Sequence, residues 1–387
     1  MLLQGKRVSV SGKRVALGMS GGVDSSVSAH LLVEDGYEVT GVYLECWRAP
    51  GCRTEEDRKD ALDICLQLGI PFTVLDFKQK YKETVVEYFF REYEQGKTPN
   101  PDVLCNKEIK FGLFYDWAME NNFEHVATGH YAQVLESREA PGQKVLLTSQ
   151  DEHKDQTYFL YRLRREQLEH ILFPIGHLEK SRVRQMAVER NLAVASKKDS
   201  VGICFIGDIN VHNFLKERLG EKPGPVIDTK GTVIGEHNGL WFFTVGQRHG
   251  FSIFPKSMVK KADGSEIDRQ NIPPFYVIRK NASKNELVVG FGKETFQTEF
   301  DLSDIHWIYE APKEGESVLV RIRHTGKLLG CQRSSEGVPN GKTVVKLIEP
   351  TQGIAEGQSA VFYREYSHSG AIPLYECLGG GVIGFDS

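Results

Sequence analysis

The sequence predicts an α/β protein: a doubly wound parallel sheet, then a small β-rich connector domain, then a C-terminal β-barrel. Three observations carry this reading. A strand pattern, a Gly/Ser-rich turn and a helical pattern follow one another in "RVALGMSGGVDSSVSAHLL", residues 14–32. Strand and helix patterns then keep alternating, the order of a parallel sheet with helices on its faces. From residue 287 onward, short alternating segments at regular spacing dominate instead, the pattern of a small closed barrel. The implied domains are 1–207, 208–286 and 287–387.

The elements follow in order. Arg14 to Leu17 form a short buried strand, and Val23, Val27, Leu31 and Leu32 recur at helical spacing after the turn. "GYEVTGVYLE" is a second strand, "EEDRKDALDICLQLGI" a helix, "PFTVLDF" a third strand, and "HVATGHYAQVL" a strand running into a turn. Between them, Pro99 and Pro101 mark an irregular loop that becomes helical around Ile109 to Trp117. The connector opens with Phe214 to Pro225 and is β-rich, with turns at Thr229–Gly231 and Glu236–Gly239. The barrel strands are "ELVVGFG", "SVLVRIRH", "KLLGCQR", "KTVVKLIE" and "QSAVFYRE", with Arg321 and Arg323 expected on one face of a single strand.

The 387 residues exceed one compact domain. A hydrophobic content of 40% and a charged content of 26% are ordinary for a soluble globular chain. No run approaches the roughly 18 apolar residues of a membrane span, and the N-terminus lacks an apolar signal core. The cytoplasm is the expected compartment, and a monomer the default state. Seven cysteines, Cys46, Cys52, Cys65, Cys105, Cys204, Cys331 and Cys377, are too few and too scattered for a disulfide framework. A net charge of −4 excludes a globally basic nucleic-acid binder, though not a local basic face. Positive charge concentrates at Arg162, Arg164, Arg165, Lys180, Arg182, Arg184 and Arg190. That run reads either as a solvated face or as a phosphate-contacting surface.

The turn after the first strand holds Ser20, Gly21, Gly22, Asp24, Ser25 and Ser26 but no lysine. Glycines allow close backbone approach, and the first N–H groups of a helix lack internal partners, so an anion is favoured there. A mononucleotide P-loop needs a Gly-Lys-Ser/Thr end, which is missing. Ser-Gly-Gly-x-Asp-Ser instead resembles the pyrophosphate loop of the N-type ATP pyrophosphatases, of the adenine nucleotide alpha-hydrolase-like fold. That resemblance implies cleavage of ATP between its α and β phosphates, with Asp24 helping to hold Mg²⁺. Leu44 and Gly129 lie at strand ends, where the sheet would meet adenosine, although Gly129 reads equally as a plain turn residue.

Two cysteines have polar company. Cys105 is flanked by Asn100, Asp102, Asn106 and Lys107, and Cys204 by two glycines near Lys197 and Lys198. A thiol near a helix start with a cation close by is a candidate thiolate, and two of them suggest sulfur or disulfide exchange. Cys46, Cys52 and Cys65 match no zinc or cluster spacing, so no metal ligand set is assigned. Cys331 and Cys377 read as structural.

"GMSGGVDSS", "TPNPDVLCNKEIKF", "ATGHYA", "KDQTYFLY", "DSVGICFIG" and "EGQSAVFY" occur in this order from residue 18 to residue 363. In this they resemble the tRNA-specific 2-thiouridylases. The resemblance implies that ATP sits on Gly18, Met19, Ser20, Gly21, Gly22, Val23, Asp24 and Ser25, with Leu44 and Gly129 at the adenosine. It implies that Asn100, Pro101 and Asp102 meet the target base, with Asp102 as acid/base partner. It places RNA contacts at His130, Lys154, Asp155, Gln156, Arg323, His324 and Gln358. Cys204 would carry a persulfide from a cysteine desulfurase or relay protein. Cys105 would act either as nucleophile on the adenylated base or as the thiol that releases sulfide, and the pair would end as a disulfide. The substrate would be the wobble uridine of tRNAs for Lys, Glu and Gln. Competing readings are a small-molecule ligase of the argininosuccinate or GMP synthetase type, which needs no cysteine pair, and a tRNA-binding or sulfur-carrier protein without catalysis.

Overall fold

The computed structural model describes residues 12–49, 54–199, 210–254, 274–334, 343–367 and 372–385. Cys52 and Cys204 lie outside these. The described residues fall into two compact units. The first draws on Met1–Lys82, Asp102–Asp208 and Glu365–Cys377, the second on Glu83–Pro101, Ile209–Arg364 and Leu378–Ser387.

In the first unit the strands, in chain order, are β1 (Arg14–Gly18), β2 (Glu38–Glu45), β3 (Phe72–Asp76), β4 (His125–Ala127), β5 (Gln133–Glu136), β6 (Lys144–Leu147) and β7 (Ile171–Leu172). Five of them form a sheet in the order β3-β2-β1-β4-β7, parallel throughout. The predicted doubly wound sheet is thus present. Its central strand is apolar because both faces are covered. Val15 and Leu17 pack into one cluster with Val23, Val27 and Leu32 of the helix Val23–Glu34 and with Ile64 and Met186. Ala16, one residue out of phase, joins Phe114, Ala118 and Val126 on the other face. Each fully buried Val, Leu, Ile, Phe or Met among them contributes about 1.5–3 kcal/mol. Strands β5 and β6 form an antiparallel hairpin beside this sheet, and Glu376 pairs opposite Leu147.

The helix that carries Cys105 begins earlier than the sequence suggests. It runs as α-helix over Pro101–Leu104, as an i→i+5 π-helix over Cys105–Leu113, and as α-helix over Phe114–Glu120. Pro101 does not prolong the loop; it opens the helix, where its missing N–H costs nothing. π-helical turns are rare and concentrate at functional sites.

In the second unit, β8 (Gly224–Ile227), β9 (Val233–His237), β10 (Ser252–Ile253), β11 (Tyr276–Asn281) and β12 (Glu286–Gly290) form a sheet in the order β10-β9-β8-β12-β11. Its core contains Val226, Ile234, Phe243, Val277 and Leu287. The predicted turn at Glu236–Gly239 starts later, because β9 runs to His237. The remaining strands are β13 (Phe296–Trp307), β14 (Val318–Arg321), β15 (Leu329–Ser334), β16 (Thr343–Gln352), β17 (Ser359–Ser367) and β18 (Leu374–Gly384). They close into a six-stranded barrel because β13 pairs with both β16 and β18. The predicted barrel is therefore present, but "ELVVGFG", expected as one of its strands, is instead β12 of the preceding sheet, where it pairs with β8 and β11. Arg321 and Arg323 do not share a strand, however: β14 ends at Arg321, and Arg323 lies in a turn closed by Gly326 N–H donating to its carbonyl at 2.9 Å. Among the described residues no helix is long and apolar enough to cross a membrane.

Candidate active site

In an open parallel sheet, ligands bind beyond the carboxyl ends of the strands where the winding reverses. Here β1 leads to β2 on one side while β4 is added on the other. A cavity of about 330 Å³ lies at the ends of these strands, within the first unit. Gly18, Met19, Ser20, Gly22, Val23, Asp24 and Ser25 line it, with Leu44 from β2 and Gly129 and His130 from the turn after β4. Cys105, Lys154 and Gln156 line it too.

Gly21 is not in the lining. Its φ of +70° is left-handed, and a Cβ there would sit 2.1 Å from the Asp57 carbonyl oxygen, so only glycine lets the loop pass the helix Thr54–Leu68. Gly129 is under a similar constraint. A Cβ on it would lie 2.8 Å from Ser25 N and 2.9 Å from the Asp24 carbonyl carbon. The turn after β4 therefore abuts the first turn of the helix Val23–Glu34, which reconciles the turn reading of Gly129 with the ligand reading.

At that helix start Gly22 is extended and no side chain caps it. The hydroxyls of Ser25 and Ser26 donate back to Gly22 O at 3.2 and 2.8 Å, a local competition typical of serine. The anion donors are thus the uncapped backbone N–H groups rather than these hydroxyls.

The lysine absent from the loop arrives from elsewhere in the chain. Lys180 Nζ donates to Asp24 Oδ1 at 2.6 Å and lies 2.9 Å from Asp199 Oδ1. Tyr131 donates its hydroxyl to the same Asp24 oxygen at 3.0 Å. Gln156 accepts the Tyr131 N–H at 2.9 Å and so holds that tyrosine in place. Lys197 Nζ donates to Gly21 O at 2.8 Å, Asp57 at 2.9 Å and Asp60 at 2.5 Å. Burial opposes the charge on Lys197, but the Asp60 and Asp57 carboxylates outweigh it and raise the pKa above the ordinary lysine value. Asp199 is the hub of the cluster, receiving Lys154 at 2.7 Å and also Arg184. Burial works against its ionisation, yet the bonds from Lys154 and Lys180 win and hold its carboxyl well below the usual range. Arg48, Lys110, Lys154, Lys180, Lys197 and Lys198 face three acidic residues, Asp24, Asp57 and Asp199, in the lining. The excess of cations suits a polyphosphate. Among the described residues no three His, Cys, Asp or Glu groups gather around a metal position. A divalent cation would therefore rest on Asp24 and on the phosphates themselves.

His130 is only 6% exposed, and burial, then the nearby Lys110 charge, pushes its pKa well below the ordinary histidine value. Lys110 Nζ lies 3.3 Å from His130 Nε2 and Thr128 Oγ1 lies 2.7 Å from Nδ1. An ammonium can only donate, so Nε2 accepts and Nδ1 carries the hydrogen that Thr128 receives. Cys105 is 4% exposed. The π-helical i→i+5 register puts it on the same helix face as Lys110, and both line the cavity.

Other predicted residues fall elsewhere. Asp155 is 2% exposed and accepts from Ser149 N and from the Thr157 hydroxyl, which ties down its own turn and leaves it no face toward an RNA. Asp102 is half-buried on the first helical turn, where its carbonyl accepts from Asn106 Nδ2 at 3.0 Å. Asn100, Pro101, Arg323, His324 and Gln358 belong to the second unit. There Gln358 Nε2 donates to Thr98 O at 2.8 Å and lies 3.3 Å from Pro99 O, and Arg323 is exposed. Much of the basic run is engaged internally: Arg182 with Glu189, Arg184 with Asp199, Arg190 with Glu34, and Lys180 with Asp24. This favours a paired fold surface over an open phosphate-contacting one. Cys65 is fully buried, and burial lifts its thiol to about 11, the behaviour of an inert core residue.

Three family models match in sequence. Residues 13–208 match the tRNA methyl transferase HUP domain, 212–291 its PRC-barrel domain, and 297–383 the aminomethyltransferase beta-barrel domain. The tRNA-specific 2-thiouridylase MnmA of Streptococcus thermophilus strain LMD-9 is 43% identical over 380 residues, covering 96% of this chain and 95% of its own. The same protein from strain CNRZ 1066 gives the same identity and coverage. Among solved structures, the U34-tRNA thiolase NcsA of Methanococcus maripaludis superposes with a TM-score of 0.34 at 20% identity, over 49% of this chain and 60% of that one. That likeness is too slight to carry an argument. By its near full-length identity to the curated relatives, the chain belongs to the tRNA-specific 2-thiouridylase (MnmA) family.

Proposed function

We propose that this protein thiolates the 2-position of the wobble uridine of tRNAs for Lys, Glu and Gln, and that it spends ATP to do so. The observation that carries the reading is the shared cavity: the phosphate loop, lysines from distant parts of the chain and Cys105 line the same space. The family models are described by methyl transfer and the relatives by thiolation. The residues support the second description, because moving a methyl group requires neither a phosphate loop nor a pair of thiols.

In this reading ATP lies on Gly18–Ser25, with Leu44 and Gly129 beside the adenosine. The uncapped helix N-terminus and Lys180 hold the phosphates that leave, while Lys197 braces the loop through Gly21 O. Mg²⁺, when bound, neutralises phosphate charge next to Asp24. The uridine O2 attacks the α-phosphorus: the O2–P bond forms, the bond to the bridging oxygen breaks, and the electron pair departs with pyrophosphate. Asp102 serves as the acid/base partner. Cys204 brings a persulfide from a cysteine desulfurase or relay protein. Its outer sulfur reaches C2 of the base and AMP departs. Reducing that sulfur to the sulfide level takes two electrons, supplied by Cys105 and Cys204 as they form a disulfide, which an external dithiol must reopen. Asn100 and Pro101, with Arg323 on the barrel, are the proposed RNA-facing residues. His130, Lys154 and Gln156 shape the cavity from within.

The test incubates the protein with ATP, Mg²⁺, a persulfide source and unmodified glutamate tRNA, and measures 2-thiouridine by mass spectrometry. Thiolation by wild type and none by Cys105→Ser or Cys204→Ser is the expected result. Wild-type thiolation by Cys105→Ser would show that the cysteine pair is not needed, and no tRNA-dependent product from wild type would point instead to a small-molecule ligase.

A further inference from the structure

Lys280 is a cation that the mechanism above leaves unused. It lies on β11 in the second unit, and as a residue it is only half-buried. Its nitrogen nevertheless sits among three acceptors, donating to Phe243 O at 2.9 Å, Lys97 O at 3.2 Å and Thr98 Oγ1 at 3.2 Å. Three acceptors in this arrangement use all three N–H bonds of an ammonium. With so little water around the nitrogen, its pKa is pushed down to about 7.

The Lys97–Pro99 segment is held from a second direction. Thr98 N–H donates to Glu356 O at 2.8 Å, and Gln358 Nε2 donates to Thr98 O at 2.8 Å. Thr98 itself is 6% exposed. A short loop of the region matching the HUP model is thus gripped by one residue from the PRC-barrel match and two from the beta-barrel match. All of these residues lie in one compact unit. Asn100 and Pro101 follow directly, with Pro99 and Pro101 limiting the freedom between the grip and the helix. A lysine that only served folding could stay in solvent at far lower desolvation cost. A buried one that spends its donors on two successive residues of one loop is placed to set that loop's position.

We propose that Lys280 is a positioning residue for thiolation: with Gln358 it pins Lys97–Pro99, so that Asn100 and Pro101 are presented to the target base in one conformation. This rests on the reading that those residues meet the base.

The experiment compares full-length wild type, Lys280→Met and Lys280→Arg in three measurements: ATP affinity, single-turnover thiolation of unmodified tRNA, and hydrogen exchange at the Thr98 amide. In Lys280→Met the Thr98 amide exchanges faster and ATP affinity is unchanged. The thiolation rate falls by about tenfold to a hundredfold, the range expected for a mispositioned reactant, with a smaller change in KM for tRNA. Lys280→Arg recovers part of the rate. Wild-type exchange and rate in a folded Lys280→Met protein would overturn the proposal, as would an equal loss of ATP affinity. If Lys280→Met does not fold, Thr98→Val removes one of the three acceptors, and unchanged exchange and rate there would overturn it equally. A wild type that thiolates no tRNA would bring down the functional reading itself, an outcome distinct from one in which wild type and Lys280→Met thiolate alike.

Discussion

Replacing Lys180 by methionine removes the ammonium that bridges Asp24 and Asp199 while keeping most of the apolar stem. The lysine side chain is 12% exposed and Asp24 is 32% exposed, 2.6 Å away. Removing one partner of a fully buried pair costs about 3–5 kcal/mol. Here the cost is smaller, because Asp24 keeps the Tyr131 hydroxyl and Asp199 keeps Lys154 and Arg184. About 1–2 kcal/mol remains, so the first unit should melt about 3–6 °C lower. The functional effect is separate. A charged hydrogen bond to a phosphate is worth about 1.5–3 kcal/mol, or about 10- to 100-fold in Kd. Lys180 must leave Asp24 to make that bond, which favours the lower end of the range. The assay pairs a thermal melt with an ATP titration by calorimetry. A lowered Tm with an unchanged ATP Kd would refute the reasoning, since Lys180 would then support the fold without touching phosphate.

Three further outcomes follow from the same geometry. Gly129→Ala brings a Cβ to 2.8 Å from Ser25 N, and overpacking of that kind costs about 1–3 kcal/mol; ATP binding should weaken with stability, and a variant with wild-type Tm and Kd would contradict the close approach. His130 should show a neutral imidazole with an unprotonated Nε2 by nitrogen NMR at pH 6, whereas an ordinary histidine titration would rule out the Lys110–His130–Thr128 arrangement. Lys280 has a folded pKa of about 7 against 10.5 for the ordinary lysine, so the unfolded chain binds the extra proton between these values. Its contribution is therefore fully present above pH 10.5, shrinks as the pH falls, and is lost at about pH 7. In urea unfolding, wild type should gain stability over Lys280→Met as the pH rises from 7, and parallel curves would contradict the buried nitrogen.

The features legible in the sequence are those whose cause is local. The strand-turn-helix at Arg14–Glu34 is written in consecutive apolar, glycine and serine positions, and the barrel in the alternation along its strands. The cations of the site were not legible, because Lys180 lies 156 residues from Asp24 and Lys197 lies 176 residues from Gly21. Tertiary packing alone brings them together, and no spacing rule spans such a gap. The one available signal was the missing P-loop lysine, which implies that charge must come from elsewhere. Pro101 read as a loop residue since proline signals both a break and a first helical position. The basic run read as an open surface because charge counts ignore the partners, Glu34, Glu189 and Asp199, that the fold supplies.

The central claim is that the cavity consumes ATP on behalf of tRNA. Radiolabelled ATP, followed with and without unmodified glutamate tRNA, tests it most directly. AMP and pyrophosphate that form only with the tRNA, in step with 2-thiouridine, are the predicted products. Release of ADP, or of AMP at the same rate without tRNA, would contradict the account.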